Sequence, residues 1–181
     1  MRKIFLTVLT LCLMIGGVAS AQEVNYNFVR VSDFDAQGFV ERMVKSAVYQ
    51  HLAQNGTVVA FVSPVRREDL DDPQNFQGLV VYKSDFGIKD APNPDGHIRF
   101  YVDPEGHAFV VQLINEGNPQ VSGMVLVMAL DALGLNEQEG NILLQTQTQV
   151  AETWCANAGR KIIRVVADQQ GNDVLLFGAT E

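Results

Sequence analysis

Cysteine is nearly absent from the sequence. Of 181 residues, two are cysteines, Cys12 and Cys155, and Cys12 lies inside an apolar run near the amino terminus. If that run is removed, Cys155 alone remains and no intramolecular disulfide can form. No Cys-x-x-Cys or His-Glu-x-x-His pair is present either, which excludes the common paired-ligand metal motifs. Packing of the interior must therefore stabilise the fold.

Long apolar runs are missing, with one exception. The segment Ile4–Val18 is almost continuously apolar, follows Arg2 and Lys3, and ends in three small residues. This is the pattern of a cleaved signal peptide. We predict cleavage between Ala21 and Gln22, with 1–21 as the leader and 22–181 as one bacterial domain that is periplasmic or secreted. The run is shorter than the roughly 20 residues that span a bilayer, so we expect no stable membrane anchor.

Positive charge is also scarce. Thirteen Lys and Arg residues stand against 21 Asp and Glu residues, a formal charge of −8. Loss of Arg2 and Lys3 with the leader removes two positive charges and makes the charge −10. A surface this acidic repels phosphate backbones and anionic lipids. We therefore expect a soluble protein that does not bind nucleic acid.

The three histidines do not predict a metal site. His97 and His107 flank the turn of one predicted hairpin and share a face, but they lie about six residues apart along it, roughly 20 Å at the rise of a strand. His51 continues an apolar helical stripe and is expected to be partly buried. Asp69, Asp71 and Asp72 lack the glycine and the distant glutamate of a calcium loop. We predict no metal.

No residue pattern predicts catalysis. Cys155 would need a neighbouring histidine as a base, and beside Trp154 on a predicted helix it is expected to be a small buried residue. The serines lack a Gly-x-Ser-x-Gly elbow; those considered are Ser63, Ser84 and Ser122. No glycine cluster joins a strand to a helix, so no nucleotide cofactor is expected.

Hydrophobic periodicity predicts three helices. The first runs from about Asp35 to Gln54 with an apolar stripe at steps of three and four residues. The second begins at Asn118-Pro119 and is apolar on nearly all sides through Leu133, which places it inside the fold or under a partner. The third begins with the capping pattern of Asn136 and Glu139 and is expected to continue to about Ala158, ending at Gly159.

The remaining apolar segments are predicted to be strands. They are Val24–Phe28, Thr57–Ser63, Gly78–Ser84, Ile98–Val102, Ala108–Leu113, Lys161–Ala167 and Val174–Gly178. Two of them form a hairpin around Asp103-Pro104-Glu105-Gly106. With Asp103 opposite His107, the core face of that hairpin is expected to carry Ile98, Phe100, Val102, Ala108 and Val110. The charged stretches 66–73 and 90–96 are expected to be exposed loops.

Strands in runs joined by short turns favour an antiparallel sheet. We predict an α+β domain with a mostly antiparallel sheet of about five to seven strands and three helices packed mainly on one face. The apolar second helix and the two-sided apolar hairpin exceed what a minimal core needs. They favour a non-catalytic binding module for a protein partner or a small apolar ligand, with no binding residues assigned.

Two other functions stay open at this point. A small exported enzyme of the hydrolase type could use scattered carboxylates and a histidine, whose separation cannot be read from spacing alone. A homodimeric structural protein could place its apolar helix at an interface.

Overall fold

A computed structural model describes most of the chain after residue 34. The described residues are 35–54, 59–68, 80–102, 108–145, 150–157, 159–166 and 172–177, with backbone alone at 108, 109 and 177. The predicted leader, its cleavage site at Ala21 and Gln22, and the predicted strand Val24–Phe28 lie outside them.

Eight described strands form one antiparallel sheet. They are β1 (Val59–Phe61), β2 (Arg66–Glu68), β3 (Val80–Ile88), β4 (Gly96–Val102), β5 (Ala108–Asn115), β6 (Val150–Cys155), β7 (Arg160–Val166) and β8 (Asp173–Phe177). The order across the sheet is β1-β3-β4-β5-β8-β7-β6, and β2 also pairs with β3. The helices are α1 (Ala36–Lys45), α2 (Ala47–Gln54), α3 (Pro119–Ala132) and α4 (Glu137–Leu144). The α+β class predicted from the sequence is confirmed.

The first predicted helix is divided in two at Ser46. Asp35 caps α1 as expected, its side chain accepting from the Gln37 N–H at 3.1 Å. Ser46 has extended dihedrals, φ −61° and ψ 153°, and its Oγ accepts from the Tyr49 N–H at 3.0 Å. A serine that bonds an N–H three residues ahead starts a new helix rather than continuing the old one. This raises the helix count in the described residues from three to four.

The core lies between the four described helices and one face of the sheet. Phe39 on α1 and Phe100 on β4 are fully buried and meet edge to face, with ring centroids 5.6 Å apart. Helix α3 contributes Val125, Met128 and Ala129 to the same cluster. Its apolar surface is therefore used inside the fold. None of the described helices is both long enough and apolar enough to cross a bilayer.

The predicted hairpin forms, but its register was wrong. Val102 pairs with Ala108 as expected, whereas Tyr101 pairs with Val110 and Phe100 with Val111, because the register shifts between Tyr101 and Val102. A bulge adds one residue to one strand and moves the residues beyond it to the other face. Val110 consequently faces away from the helices, contrary to the prediction, and Val111 joins the core.

The third predicted helix was wrong beyond Leu144. The capping box of Asn136 and Glu139 is present, and α4 follows it. Instead of continuing to Ala158, the chain forms strand β6 from Val150 to Cys155. The side chains of Val150 and Trp154 therefore lie on a strand, where alternate residues share a face.

Other strands match the prediction in part. The predicted strands Lys161–Ala167 and Val174–Gly178 correspond to β7 and β8, which pair with each other, and β3 extends four residues past Ser84. The stretch 66–73 was expected to be a loop, but 66–68 form β2 and pair with β3. Three charged residues have no apolar pattern, so sequence periodicity could not reveal this edge strand.

The two faces of the sheet differ in their contacts. One face packs against the helices. We call the opposite one the second face; its side chains alternate with those of the core along every strand. From β2 to β6 they include Arg66, Glu68, Val81, Lys83, Asp85, His97, Arg99, Tyr101, Val110, Gln112, Ile114, Val174, Leu176, Ile163, Val165, Val150, Glu152 and Trp154.

Candidate binding surface

The middle of the second face is apolar. Cross-strand pairing places five residues from β7 to β3 in one row. With their exposed fractions, they are Ile163 (0%), Leu176 (3%), Val110 (0%), Tyr101 (3%) and Val81 (1%). They do not belong to the helix-side core cluster. The sheet therefore buries apolar side chains on both of its faces.

A charged region adjoins this row on β2, β3 and β4. Arg99 donates from Nε to Glu68 Oε2 at 2.6 Å and from Nη2 to Glu68 Oε1 at 2.7 Å. Partial burial raises the pKa of Glu68, but the hydrogen bonds and charge of Arg99 outweigh it and hold that pKa below its ordinary value. The two side chains form a bidentate ion pair at neutral pH.

Asp85 binds two further cations of the same region. Arg66 Nη2 donates to Asp85 Oδ2 at 2.8 Å, and Lys83 Nζ lies 3.5 Å from Asp85 Oδ1. Burial raises the pKa of Asp85, but the hydrogen bonds to Arg66 and Ser63 and the charge of Arg66 lower it by more, so the net pKa is below its ordinary value. Carboxylates in such pairs remain ionised and are poor proton donors at neutral pH.

Tyr101 and Gln112 join the charged region to the apolar row. The Tyr101 hydroxyl donates to Gln112 Oε1 at 2.6 Å. Burial raises the pKa of Tyr101 to about 12, although the positive charge of Arg99 opposes the shift. The phenol is therefore held neutral and does not serve as a base near pH 7.

His97 is a buried titratable residue beside the charged region. The residue is 3% exposed, and its Nδ1 lies 3.2 Å from Glu116 Oε1. The geometry of His97 Nδ1 and Glu116 Oε1 is not that of a hydrogen bond. Neither nitrogen of the His97 ring forms a hydrogen bond with a described residue. Burial lowers the pKa of His97, the charges of Arg99 and Lys83 lower it further, and Glu116 acts in the opposite direction. The neutral imidazole is favoured.

Apolar side chains become exposed at the β6 margin of the second face. Trp154 is 39% exposed and Val150 is 37% exposed, and both lie on β6, which ends the sheet order on this side in the described part of the chain. Glu152 stands between them on the same face, 50% exposed, with its Oε1 3.3 Å from Lys161 Nζ. We call Val150, Glu152 and Trp154 the β6 margin.

Comparison with protein-family models, curated proteins and solved structures gives no match. The function must therefore be argued from the geometry of the chain itself.

The candidate residues of the sequence analysis do not converge. His51 is exposed on α2, contrary to the expectation of partial burial, whereas His97 lies on the sheet. Residues 69–72 and His107 are outside the described residues. No group of three or more His, Cys, Asp or Glu side chains with the spacing of a metal site occurs among the residues that the structure describes.

Cys155 lies on β6, not on a helix as predicted. It is fully buried on the helix side of the sheet, and its Sγ is 3.8 Å from the Leu133 carbonyl oxygen. Among the serines, the Ser84 hydroxyl donates to the Ser63 carbonyl oxygen at 2.7 Å, and the Ser122 hydroxyl donates to Asn115 Oδ1 at 3.0 Å. These hydroxyls are used in structural bonds.

An open depression runs along the outer side of α4. It is lined by polar side chains and one apolar residue: Asn136, Glu137, Gln138, Asn141, Ile142 and Gln145. Its lining comes entirely from α4 and the two residues that cap it, so it is a shallow surface feature with no convergent titratable pair.

The β6 margin is the feature that the sequence analysis missed. Trp154 was placed on a helix because Val150, Trp154 and Ala158 are spaced four residues apart, which suits an apolar helical stripe. The signal that could have identified a strand is the enrichment of this segment in β-branched and aromatic residues, namely Thr148, Val150, Thr153 and Trp154.

Proposed function

We propose that this protein is an exported, non-catalytic binding module that recognises a protein partner at the β6 margin. The observation that carries the proposal is the exposure of Trp154, at 39%, and of Val150, at 37%, on the same face of β6, the last strand in the order of the described sheet. Two exposed apolar side chains on one face of a strand form a small surface that another protein can bury.

The chemistry of the margin supports a protein as the partner. Tryptophan is enriched among the residues that dominate binding energy at protein interfaces. A small apolar ligand fits less well, because the apolar row of the second face is at most 3% exposed.

The charged region supports binding rather than catalysis. Arg99 and Asp85 are engaged with opposite charges, and the Tyr101 hydroxyl is bonded to Gln112. The alternative of a small exported enzyme draws on one observation, the proximity of His97 Nδ1 to Glu116. An imidazole that is 3% exposed gives a substrate little access, so we favour the binding function.

Export is part of the proposal. The leader pattern of residues 1–21 and the acidic composition support a soluble protein of the periplasm or the extracellular space.

Co-purification from the envelope fraction tests the proposal. We expect a defined partner with the natural sequence and its loss with Trp154→Ala, since truncating a central interface tryptophan weakens binding by about 2 kcal/mol, or roughly 30-fold. Ile142→Ala is the matched control, because Ile142 is 48% exposed on α4. If the natural chain, Trp154→Ala and Ile142→Ala all recover the same proteins, the β6 margin is not the binding surface.

A further inference from the structure

We propose that the partner contributes an arginine side chain, which stacks on the indole ring of Trp154 and donates to the carboxylate of Glu152. This inference rests on the proposed function and specifies the chemistry of the partner at the same surface. It follows from the side chains that the second face exposes at the β6 margin and beside it, which are Val150, Glu152 and Trp154 of β6 and Lys161 of β7.

The ring of Trp154 and the carboxylate of Glu152 are both accessible from the second face. Trp154 is 39% exposed, and the side chain of Glu152 is 50% exposed. Among the residues that the structure describes, no aromatic ring and no cationic group is packed on the indole. The two residues are two positions apart on β6, so their side chains leave the same face about 7 Å from each other. A ligand above this face therefore reaches both.

Arginine suits this combination of groups. Its guanidinium is flat, so its face can stack on an indole while the N–H groups at its rim donate to a carboxylate. Tryptophan is also the aromatic side chain that attracts cations most strongly. An apolar neighbour of the arginine in the partner would contact Val150, which is 37% exposed on the same face.

Lys161 competes with this arginine for Glu152. It lies on β7 opposite Trp154, and its Nζ donates to Glu152 Oε1 at 3.3 Å. The side chains of Lys161 and Glu152 are 40% and 50% exposed, and an ion pair this exposed contributes little to stability. An arginine that contacts the indole as well as the carboxylate therefore displaces Lys161 from Glu152.

The charge of the molecule favours a basic partner over a second copy of this chain. The formal charge is −8, from 13 Lys and Arg residues against 21 Asp and Glu residues. Two copies therefore repel each other, whereas a protein with a basic surface is attracted. The arginine is accordingly assigned to another protein.

Fluorescence of Trp154 provides the test, because it is the one tryptophan of the chain. The probes are two capped pentapeptides of the sequence glycine-valine-X-valine-glycine, in which X is arginine or citrulline, the uncharged analogue of the same shape. With the purified full chain, we expect the arginine peptide to bind about tenfold more tightly than the citrulline peptide, and less tightly at high salt. This comparison needs no variant, so it does not depend on the folding of one.

Variants then test the role of each charged group. Glu152→Gln should remove most of the preference for arginine. Lys161→Met should increase the affinity for the arginine peptide, because it leaves the carboxylate without a competing cation. Glu41→Gln is the matched control and should change nothing, since Glu41 forms an exposed ion pair with Lys45 on α1. Unchanged thermal unfolding checks that the variants fold.

The outcomes separate this inference from the proposed function. Equal binding of the two peptides, no binding of either, or a preference for arginine that Glu152→Gln leaves unchanged overturns the inference, while co-purification of a partner that depends on Trp154 keeps the proposed function. Self-association that Trp154→Ala abolishes in light scattering would make a second copy the occupant and would also overturn the inference. If co-purification does not depend on Trp154, both fail.

Discussion

The imidazole of His97 lies among charges of both signs. Glu116 is 3.2 Å from its Nδ1, Asp85 is its cross-strand neighbour on β3, and the positive charges of Lys83 and Arg99 act on it from the same face. Because the side chain is buried, a proton added here cannot be hydrated. The folded state therefore prefers the neutral ring.

This preference predicts a loss of stability in acid. The folded state holds the pKa of His97 below its ordinary value of 6.5, so the unfolded chain takes up the proton first as the pH falls. The free energy of unfolding should decrease as the pH is lowered through about 6.5 and continue to fall until the folded protein is protonated too. Urea denaturation at pH 7, 6 and 5 measures this.

His97→Gln is the control, because glutamine stays neutral over this range. The variant should lose less stability than the natural chain between pH 7 and pH 5. Identical pH dependence of the two proteins would assign the acid sensitivity to other groups.

At the scale of the element, Glu139 joins α4 to the turn after β6. Its Oε2 accepts from the Asn136 N–H at 2.8 Å, closing the capping box, and its Oε1 accepts from the Ala156 N–H at 3.1 Å. One side chain therefore fixes both the start of the helix and the end of the strand that carries Trp154.

We expect Glu139→Ala to lower the free energy of unfolding by about 1–2 kcal/mol, since it removes a cap and a second backbone hydrogen bond. Glu137→Ala is matched to it in the first turn of the same helix, but Glu137 is exposed. Its substitution should cost less than about 0.5 kcal/mol. Equal losses in urea denaturation would show that the two Glu139 hydrogen bonds, to Asn136 and to Ala156, do not stabilise the fold.

The elements differ in how well the sequence predicts them. Capping residues at Asp35, Asn118 and Asn136 mark the starts of α1, α3 and α4 correctly, because a cap is a local hydrogen bond that depends on one or two residues. The end of α4 was missed, because a four-residue spacing puts apolar side chains on one face of a helix and of a strand alike.

Register and exposure depend on interactions that are distant in sequence. The shift between Tyr101 and Val102 moves Val110 to the second face, and no residue pattern on either strand encodes it. The exposed Trp154 could be recognised after β6 had been placed at the margin of the sheet. The candidate site was therefore beyond sequence periodicity, although the α+β class was not.

At the scale of the whole molecule, the proposed export depends on cleavage of the predicted leader, residues 1–21. If 1–21 is removed after Ala21, the protein recovered from the envelope should begin at Gln22 by intact mass and amino-terminal sequencing. Ala19→Asp or Ala21→Asp should block cleavage, because the small residues of the Ala-x-Ala site fit the processing enzyme. Ser20→Asp, at the middle position, should be processed. A stable full-length cytosolic form of the natural chain would contradict export.

The sheet order has a consequence for when the protein can fold. β8 comes last among the described strands, yet it lies between β5 and β7 and hydrogen-bonds to both. In a growing or partly exported chain that lacks residues 173–177, strands β1–β5 and the pair of β6 and β7 have no described strand between them. Strands that are far apart in the sequence also pair slowly. If the protein is exported as we propose, the late arrival of this bridging strand would delay folding until the chain has crossed the membrane.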